Sequence, residues 1–552
     1  MKYLRTIGLI LCVLFLSAGM LMAGGGGESK VSDDQMGELV PPLVFLSSLP
    51  EANLVNYEMT QEYVEHLAEL GIQAENRPTD FAVLMDIIYG EEKDYDGYTI
   101  GWSGRVERLD PDMFIHSINH SKNALPGGNN TDHYRNPQFD ALADAQRREM
   151  DINKRRKIVF DAQRILAEDV PRITLYSRAN VQAYDKTQLK GLTNMPGEGL
   201  FNEWSPMQME AIGTRKVPIV ASNINLTNLN PFGARSVYDW RNLRLIYDKL
   251  VRLTPEVEPK PWAAESWNVV DDTTIDVVLR SGMKFHDGRP VTVADVVWSY
   301  EAWIKLPESY FASFTASIAS VSAQGGNTIR FKLKEPYAPF ITTTLTQIPI
   351  LPKHIWEKVP DITQYDNANP IGSGPFRFVR FRNGEELVTA RFDEYFAPAK
   401  IEGYIFKIYA SPEGVLTDIE LKNVDMLSYD MIPAHINQLK KNEGGKFSHM
   451  QVTEAPDIGF FYLGFNNDRP PFTNKQFRIA SSYLIDYDYA LDVLLDGYGS
   501  RGGAGLVING ANEFWHNPDV PIYNTFDPKK AKEILIEAGF TWDSQGRMRM
   551  PR

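Results

Sequence analysis

The stretch from Ala264 to Val297, AESWNVVDDTTIDVVLRSGMKFHDGRPVTVADVV, is the part of the chain that most narrows its fold. Ile275-Asp276-Val277-Val278-Leu279-Arg280 has the β-branched density of a strand, and Asp271-Asp272 before it is turn chemistry. Phe285-His286-Asp287-Gly288 supplies a second turn. Thr292-Val293-Ala294-Asp295 then fits a capping box, in which Thr292 can accept from the helix's third amide and Asp295 can answer back. The helix it opens, through Trp298 and Trp303, has an apolar face. Strand, turn and capped helix in succession make α/β scaffold. His286-Asp287 accordingly reads as a satisfied turn rather than a catalytic pair.

The same alternation runs through the rest of the chain. Leu43-Val44-Phe45-Leu46 reads as a buried strand, Gln61 to Leu70 as an amphipathic helix ended by Gly71, and Ile72-Gln73-Ala74 as the start of another strand. Asn153 to Asp169 predicts a helix stopped before Pro171, followed by a strand over Ile173 to Tyr176. From Val217 the rhythm restarts: a strand to Ala221, a helix around Leu243 to Leu250, and the tight turn Gly372-Ser373-Gly374-Pro375. The strand Gly459 to Asn466 and helices over Asn474 to Ile485 and Pro528 to Ala538 complete it. At 552 residues such a chain forms more than one lobe.

These motifs are similar to those of the family 5 bacterial extracellular solute-binding proteins, which serve ABC importers. The Ala264 segment resembles the family's signature, which in that family lies near the start of the mature protein. In the family's order, LNPF, IYDKL, the signature, GSGPF, GFFYLGFNN and EAGF come first; here they occupy Leu229 to Phe540. LAELGIQ, GW followed by DPD, YRNPQFDAL and AQRILAEDVPRITLY come next in the family; here they lie earlier, in Leu43 to Tyr176. Each motif occurs once, so the resemblance implies a circularly permuted order. The old ends would be bridged by about Ile212 to Lys216, five residues that span at most ~17 Å.

The implied fold is α/β, periplasmic-binding-protein-like type II, with two lobes, hinge strands and an extra subdomain. The expected partition is a signal peptide over 1–24, a linker over 25–37, lobe II over 38–179, and a return to lobe I over 180–212. Lobe I with the extra subdomain follows over 213–459, and the first part of lobe II over 460–552. The implied function is extracytoplasmic capture of an oligopeptide-like ligand for ABC permease subunits, by a monomer. An oligosaccharide is the alternative ligand. A nickel or metal carrier, or a hydrolase, is the reading from a different class.

Composition agrees with an exported protein. Lys2 and Arg5 precede an apolar run from Ile7 to Leu16 and small residues Ser17, Ala18 and Gly19, the layout of a secretory signal peptide. The rival is an uncleaved anchor, since the run to Ala23 approaches the ~17-residue minimum for a span. The sequence before Gly24 resembles a lipoprotein signal, but Gly24 stands where the acylated cysteine belongs. The sole cysteine, Cys12, lies inside the apolar run, so the mature chain would hold no disulfide. The formal charge of −14 argues against nucleic acid as a partner.

Candidate chemistry concentrates at Gly101-Trp102-Ser103-Gly104-Arg105, after the strand Tyr98-Thr99-Ile100. Loops at the ends of such strands present ligand contacts in α/β lobes. The motif resembles the Gly-Trp-x-x-Asp of peptide-binding relatives, whose strand edge pairs with the ligand backbone and whose Asp holds its ammonium end. Here Trp102 matches, but Arg105 occupies the Asp position. The arginine by which dipeptide-binding relatives hold the ligand carboxylate is also missing near Pro50 and Glu51. A positive clamp in place of a negative one favours an anionic, longer or non-peptide ligand; otherwise Arg105 pairs with a nearby acid such as Asp110.

Asn225 matches a family position that faces ligand from the other lobe, and Trp240 and Trp515 are candidate ligand walls, with core packing as the alternative. Asp112, His116 and His120 stand at i, i+4 and i+8 with His133 nearby, a spacing that can seat a metal. Asn119, Ser121, Pro126 and Gly127-Gly128 mark that segment as a surface loop, so no metal and no cofactor is expected. Gly497-Tyr498-Gly499-Ser500-Arg501-Gly502 satisfies GxGxxG, but a helix precedes it and a loop follows, the reverse of a dinucleotide site. No GxSxG elbow is present, and the mature chain offers no thiol nucleophile.

Overall fold

Strand β1 (Leu43–Ser48), helix α1 (Leu54–Glu69) and strand β2 (Ala74–Thr79) form a right-order βαβ unit, with β1 and β2 pairing in parallel from Leu43↔Ala74 to Ser48↔Thr79. Asn53 caps α1 by accepting from the Asn56 amide, and Gly71 takes the left-handed φ of 80° that lets the chain turn away. The helix starts about two turns earlier than Gln61 because its first residues bury Val55, Asn56 and Met59. This computed structural model describes residues 37–552 apart from 92–93, 106–107, 227, 235, 307–308 and 310. The expected signal peptide, and the linker up to residue 36, lie outside the described residues.

Helix α2 (Phe81–Tyr89) leads to strand β3 (Gly97–Trp102), which pairs in parallel with β1 through Phe45↔Gly97 and Leu46↔Tyr98. Helices α3 (Pro137–Arg148) and α4 (Ile152–Asp169) follow; Asn136 caps the first and Asp151 the second. Val170 at φ 51° and Pro171 then end α4. Strand β4 runs from Arg172 to Asp185. The expected strand over Ile173 to Tyr176 is thus only its first third. The polar run Ser177-Arg178-Ala179-Asn180 hides the rest, which is held extended by the neighbouring strand Met450–Pro456.

Twelve strands join in one sheet. Its path is Phe376–Arg382, Glu386–Arg391, Ile405–Ile408, Ile219–Ser222, Met426–Leu427, β4, Phe460–Phe465, β3, β1 and β2, while Met450–Pro456 and Gly499–Arg501 also pair with β4. One packed core gathers residues mainly from Leu189 to Ile458, with Trp240, Trp303 and Trp356 inside it; two others gather residues from Val40 to Tyr176 and Phe460 to Met548. The first core belongs to one lobe (lobe I) and the other two to a second (lobe II). The chain passes between them along β4 and again at Asp457–Gly459, between the strands Met450–Pro456 and Phe460–Phe465. The two sequence sets that resemble the family's halves are therefore interleaved in one sheet rather than folded apart.

A four-stranded sheet, Ala264–Asp271, Thr274–Leu279, Thr328–Leu333 and Ile318–Ala323, carries the helix Val293–Ile304 on lobe I. The Thr292 amide donates to Asp295 Oδ2 at 2.9 Å, as the capping box requires. His286 is scaffold: its Nδ1 accepts from the Gly372 amide at 3.2 Å and its Nε2 meets Gly374 O at 3.0 Å, tying the signature turn to the glycine turn. The helix expected over Leu243 to Leu250 is Val237–Ile246 instead, because Lys249 pairs in a bridge with Pro349 and Leu250 leads into the strand Val251–Leu253.

Candidate functional site

β3 ends at the passage between the lobes. On one side all six of its residues pair with the strand Phe460–Phe465, from Gly97↔Phe465 to Trp102↔Phe460. On the other side β1 covers only Gly97 and Tyr98, so among the described residues the edge from Thr99 to Trp102 has no strand partner. Gly101 is exposed there and Trp102 half-buried. The indole Nε1 of Trp102 is buried yet has no hydrogen-bond partner among the described residues. Such a donor is costly to leave unpaired.

The turn after β3 is fixed to the interlobe passage. Asp457 accepts from the Gly459 amide at 3.1 Å and also holds the Gly104 backbone. A Cβ at Gly104 would sit 1.7 Å from Asp457 Oδ1, so only glycine permits this approach. Arg108 donates to Ser103 O at 2.6 Å and to Ser103 Oγ at 3.0 Å, and its guanidinium lies 5.0 Å from the Trp102 ring. Burial raises the Asp457 carboxyl above its usual range, against the hydrogen bonds it receives. Asp430, which is solvent-accessible but hemmed in by protein, accepts from Gln182 Nε2 at 3.1 Å; burial pushes it up to about 6, with Arg241 opposing.

A cavity of about 530 Å³ lies between the lobes beside this turn. Arg105, Arg108, His116 and Arg147 line it from lobe II, and Phe314 and Tyr337 line it from lobe I. The lobes touch at its edge, where the Ala338 amide donates to Arg147 O at 2.6 Å and the Thr342 hydroxyl donates to Asp110. Asp110 is the main partner of Arg155, through contacts of 2.7 and 2.6 Å. Burial alone would raise Asp110; Arg155 overrides it and holds the carboxyl below its usual range. Arg105 lies half-buried on the wall of the same cavity as Asp110.

The other sequence candidates are not gathered here. Asn225 is exposed on lobe I, where its Nδ2 donates to Asn383 Oδ1 at 3.1 Å. Trp240 is 7% exposed and stacks its edge on Phe311 at 4.6 Å, inside the lobe I core. Trp515 is 1% exposed and lies under the Arg155 guanidinium at 4.9 Å, inside lobe II. Both are placed as core residues. The strand Gly499–Arg501 pairs with β4, so the GxGxxG match lies in sheet and opens no helix.

The reading of the His116 segment as a surface loop is corrected. His116 and His120 are 4% and 7% exposed, because the π-helix Met113–Ser117 and the loop after it fold under α3. Burial, with Arg147 and Lys122 adding to it, lowers the His116 pKa to about 3. Asp430 and Asp457 were not singled out from sequence. The signal was available in SYD and PDIG, acids placed beside strand ends, but only the crossover brings them near one another.

The profile of the bacterial extracellular solute-binding proteins, family 5, middle region, matches residues 258–551, more than half of the chain. The chain belongs to this family. The oligopeptide-binding protein AppA of Bacillus subtilis is 28% identical over 308 residues, which cover 54% of each chain. The dipeptide-binding protein of Escherichia coli is 26% identical over 359 residues, 60% of this chain and 65% of its own. The chain therefore spans between about half and two thirds of the length of these curated relatives. The periplasmic murein tripeptide-binding protein MppA in its unliganded open form has a TM-score of 0.50 at 21% identity, covering 60% of this chain and 67% of that one, a likeness of fold. Among the described residues no helix is long and apolar enough to cross a membrane.

Proposed function

We propose that this protein is the extracytoplasmic substrate-binding component of an ABC importer, closing two lobes on an oligopeptide-like ligand and presenting it to the permease. The observation that carries this reading is the double crossing: the chain passes between the two lobes along β4 and at Asp457–Gly459, and among the described residues the end of β3 at Gly101 and Trp102 has no strand partner on one side there. A two-strand hinge permits closure, and a ligand that binds the closed state more tightly drives it. The accessible end of this edge, Gly101 and Trp102, suits a peptide backbone, which pairs with exposed strands. Peptide-binding names among the relatives point the same way.

In this reading Gly101, Trp102 and Ser103 meet the ligand backbone. Arg105 meets an acidic group, and Asn225 approaches from lobe I. Lobe II comprises 38–179 and 460–552, and lobe I comprises 180–459, so the family's two parts stand in rotated order. Two features support the rotation. The Val40 amide donates to Met548 O at 3.0 Å and the Met550 amide to Glu38 O at 2.8 Å, so the residues flanking the proposed break lie side by side. A single collinear alignment can also hold only one of two rotated segments, in keeping with the partial coverage of relatives.

Calorimetry with an oligopeptide mixture and an oligosaccharide set tests the reading. One-to-one binding of peptide without turnover is expected. Binding of oligosaccharide alone would transfer the site to sugars, and release of cleaved product would make the protein a hydrolase.

A further inference from the structure

Away from the loop at Gly101, the described residues bring one set of nitrogen and oxygen donors together: His116, His120 and Asp144, with one atom of each lying within 4.8 Å of the others. His116 sits on the π-helix Met113–Ser117, and the His120 amide donates to His116 O at 3.1 Å just beyond it. Asp144 projects from α3. His116 Nε2 and His120 Nε2 each stand 3.4 Å from Asp144 Oδ1. Ligand atoms bound at ~2.1 Å to a tetrahedral ion are separated by about 3.4 Å. Two edges of such a tetrahedron therefore have their length already. The imidazole rings are tilted with centroids 4.8 Å apart, and a donor atom of each lies within 4.8 Å of the other.

A second observation points the same way. Among the described residues His120 Nε2 is buried on a side chain only 9% exposed, with no partner but the Asp144 carboxylate that it faces at 3.4 Å. Its Nδ1 accepts from the Lys122 amide at 3.1 Å and faces Asp140 Oδ1 at 3.5 Å. Coordination through Nε2 moves the ring proton to Nδ1, where Asp140 replaces the amide as its partner. A carboxylate behind a ligating histidine is the usual orienting group. The nearby cations do not forbid an ion. Arg147 Nη1 is 3.4 Å from His116 Nε2, but its Nε is paired with Asp112 at 3.0 Å. Lys122, 3.8 Å from Asp144, is half exposed and can swing away.

We propose that His116 Nε2, His120 Nε2 and Asp144 Oδ1 bind one divalent transition-metal ion, zinc or nickel, with a fourth position left to water or to a cleft-bound group. Imidazole with one carboxylate suits such borderline ions better than magnesium or calcium. All three ligands belong to lobe II, so binding needs no lobe closure. His116 also lines the interlobe cavity, which places the ion at its border.

Calorimetry on the chelator-stripped full chain, titrated separately with zinc chloride and nickel chloride, tests the site. One equivalent of at least one ion is expected, and addition of cobalt(II) gives the visible absorption of a four-coordinate site. H120A and D144N should each weaken binding at least tenfold, while H133A, outside the cluster, leaves it unchanged. Asp144 is 41% exposed, so D144N reports on the site even if H120A fails to fold by circular dichroism. No stoichiometric binding by the folded protein, or full affinity in folded D144N, overturns the proposal.

Discussion

Lobe II holds two kinds of arginine, and the contrast between them separates scaffold from site. Arg155 and Arg172 are fully interior: Arg155 grips Asp110 with two contacts, and Arg172 stands 2.5 Å from Asp132 under the Tyr462 ring. Arg105 and Arg108 lie on the turn after β3 and line the cavity between the lobes. The first pair is surrounded by carboxylates that burial makes dependent on them. In the second pair both side chains face the cavity, and Arg108 also holds Ser103 and the Trp102 ring. Burial therefore decides which charge the fold needs and which a ligand can use.

The largest effect is expected inside. Arg172→Ala leaves Asp132 buried and unpaired, and urea unfolding should show a loss of ~3–5 kcal/mol. Trp515→Ala, which empties a site under Arg155, should cost ~3 kcal/mol or more in the same measurement while leaving ligand affinity intact in the folded fraction. Reduced affinity at unchanged stability would instead return Trp515 to the ligand wall. On the turn the balance should reverse. Gly104→Ala forces a Cβ onto Asp457, and calorimetry should show ligand affinity reduced by ~1–3 kcal/mol, more than the accompanying loss of stability.

Arg105→Ala should lower affinity for an acidic ligand by at least ~1.5 kcal/mol in calorimetry. No change would make Arg105 scaffold like Arg155. The smallest effect lies on α1, where burial, with Asp486, Glu65 and Glu58 nearby, pushes Glu62 up to about 7. The folded chain then holds a proton that the unfolded chain has lost, so stability falls as pH rises from the ordinary glutamate range to about 7. Glu62→Gln should raise the melting temperature at pH 8 and not at pH 4.

Periodicity and caps revealed the scaffold in the sequence because they are local. The Thr292 capping box, the Gly71 stop and the Asp151-capped helix each depend on neighbours within four residues. The length of β4 was not visible, because its second half is polar and is held by a strand some 270 positions away. Trp102, Trp240 and Trp515 look alike in sequence; only packing divides the half-buried one from the two in the cores. The burial of His116 and His120 was missed for a related reason. Glycines and asparagines around them signal a loop, but they do not reveal that α3 covers it.

If the protein is a binding component, its two lobes close on a ligand about β4 and Asp457–Gly459. Small-angle X-ray scattering of the full chain, with and without a saturating oligopeptide mixture, tests it most directly. A smaller radius of gyration in the loaded protein, with the peptide recovered uncleaved, is the predicted result. Saturation by peptide with an unchanged radius would contradict it.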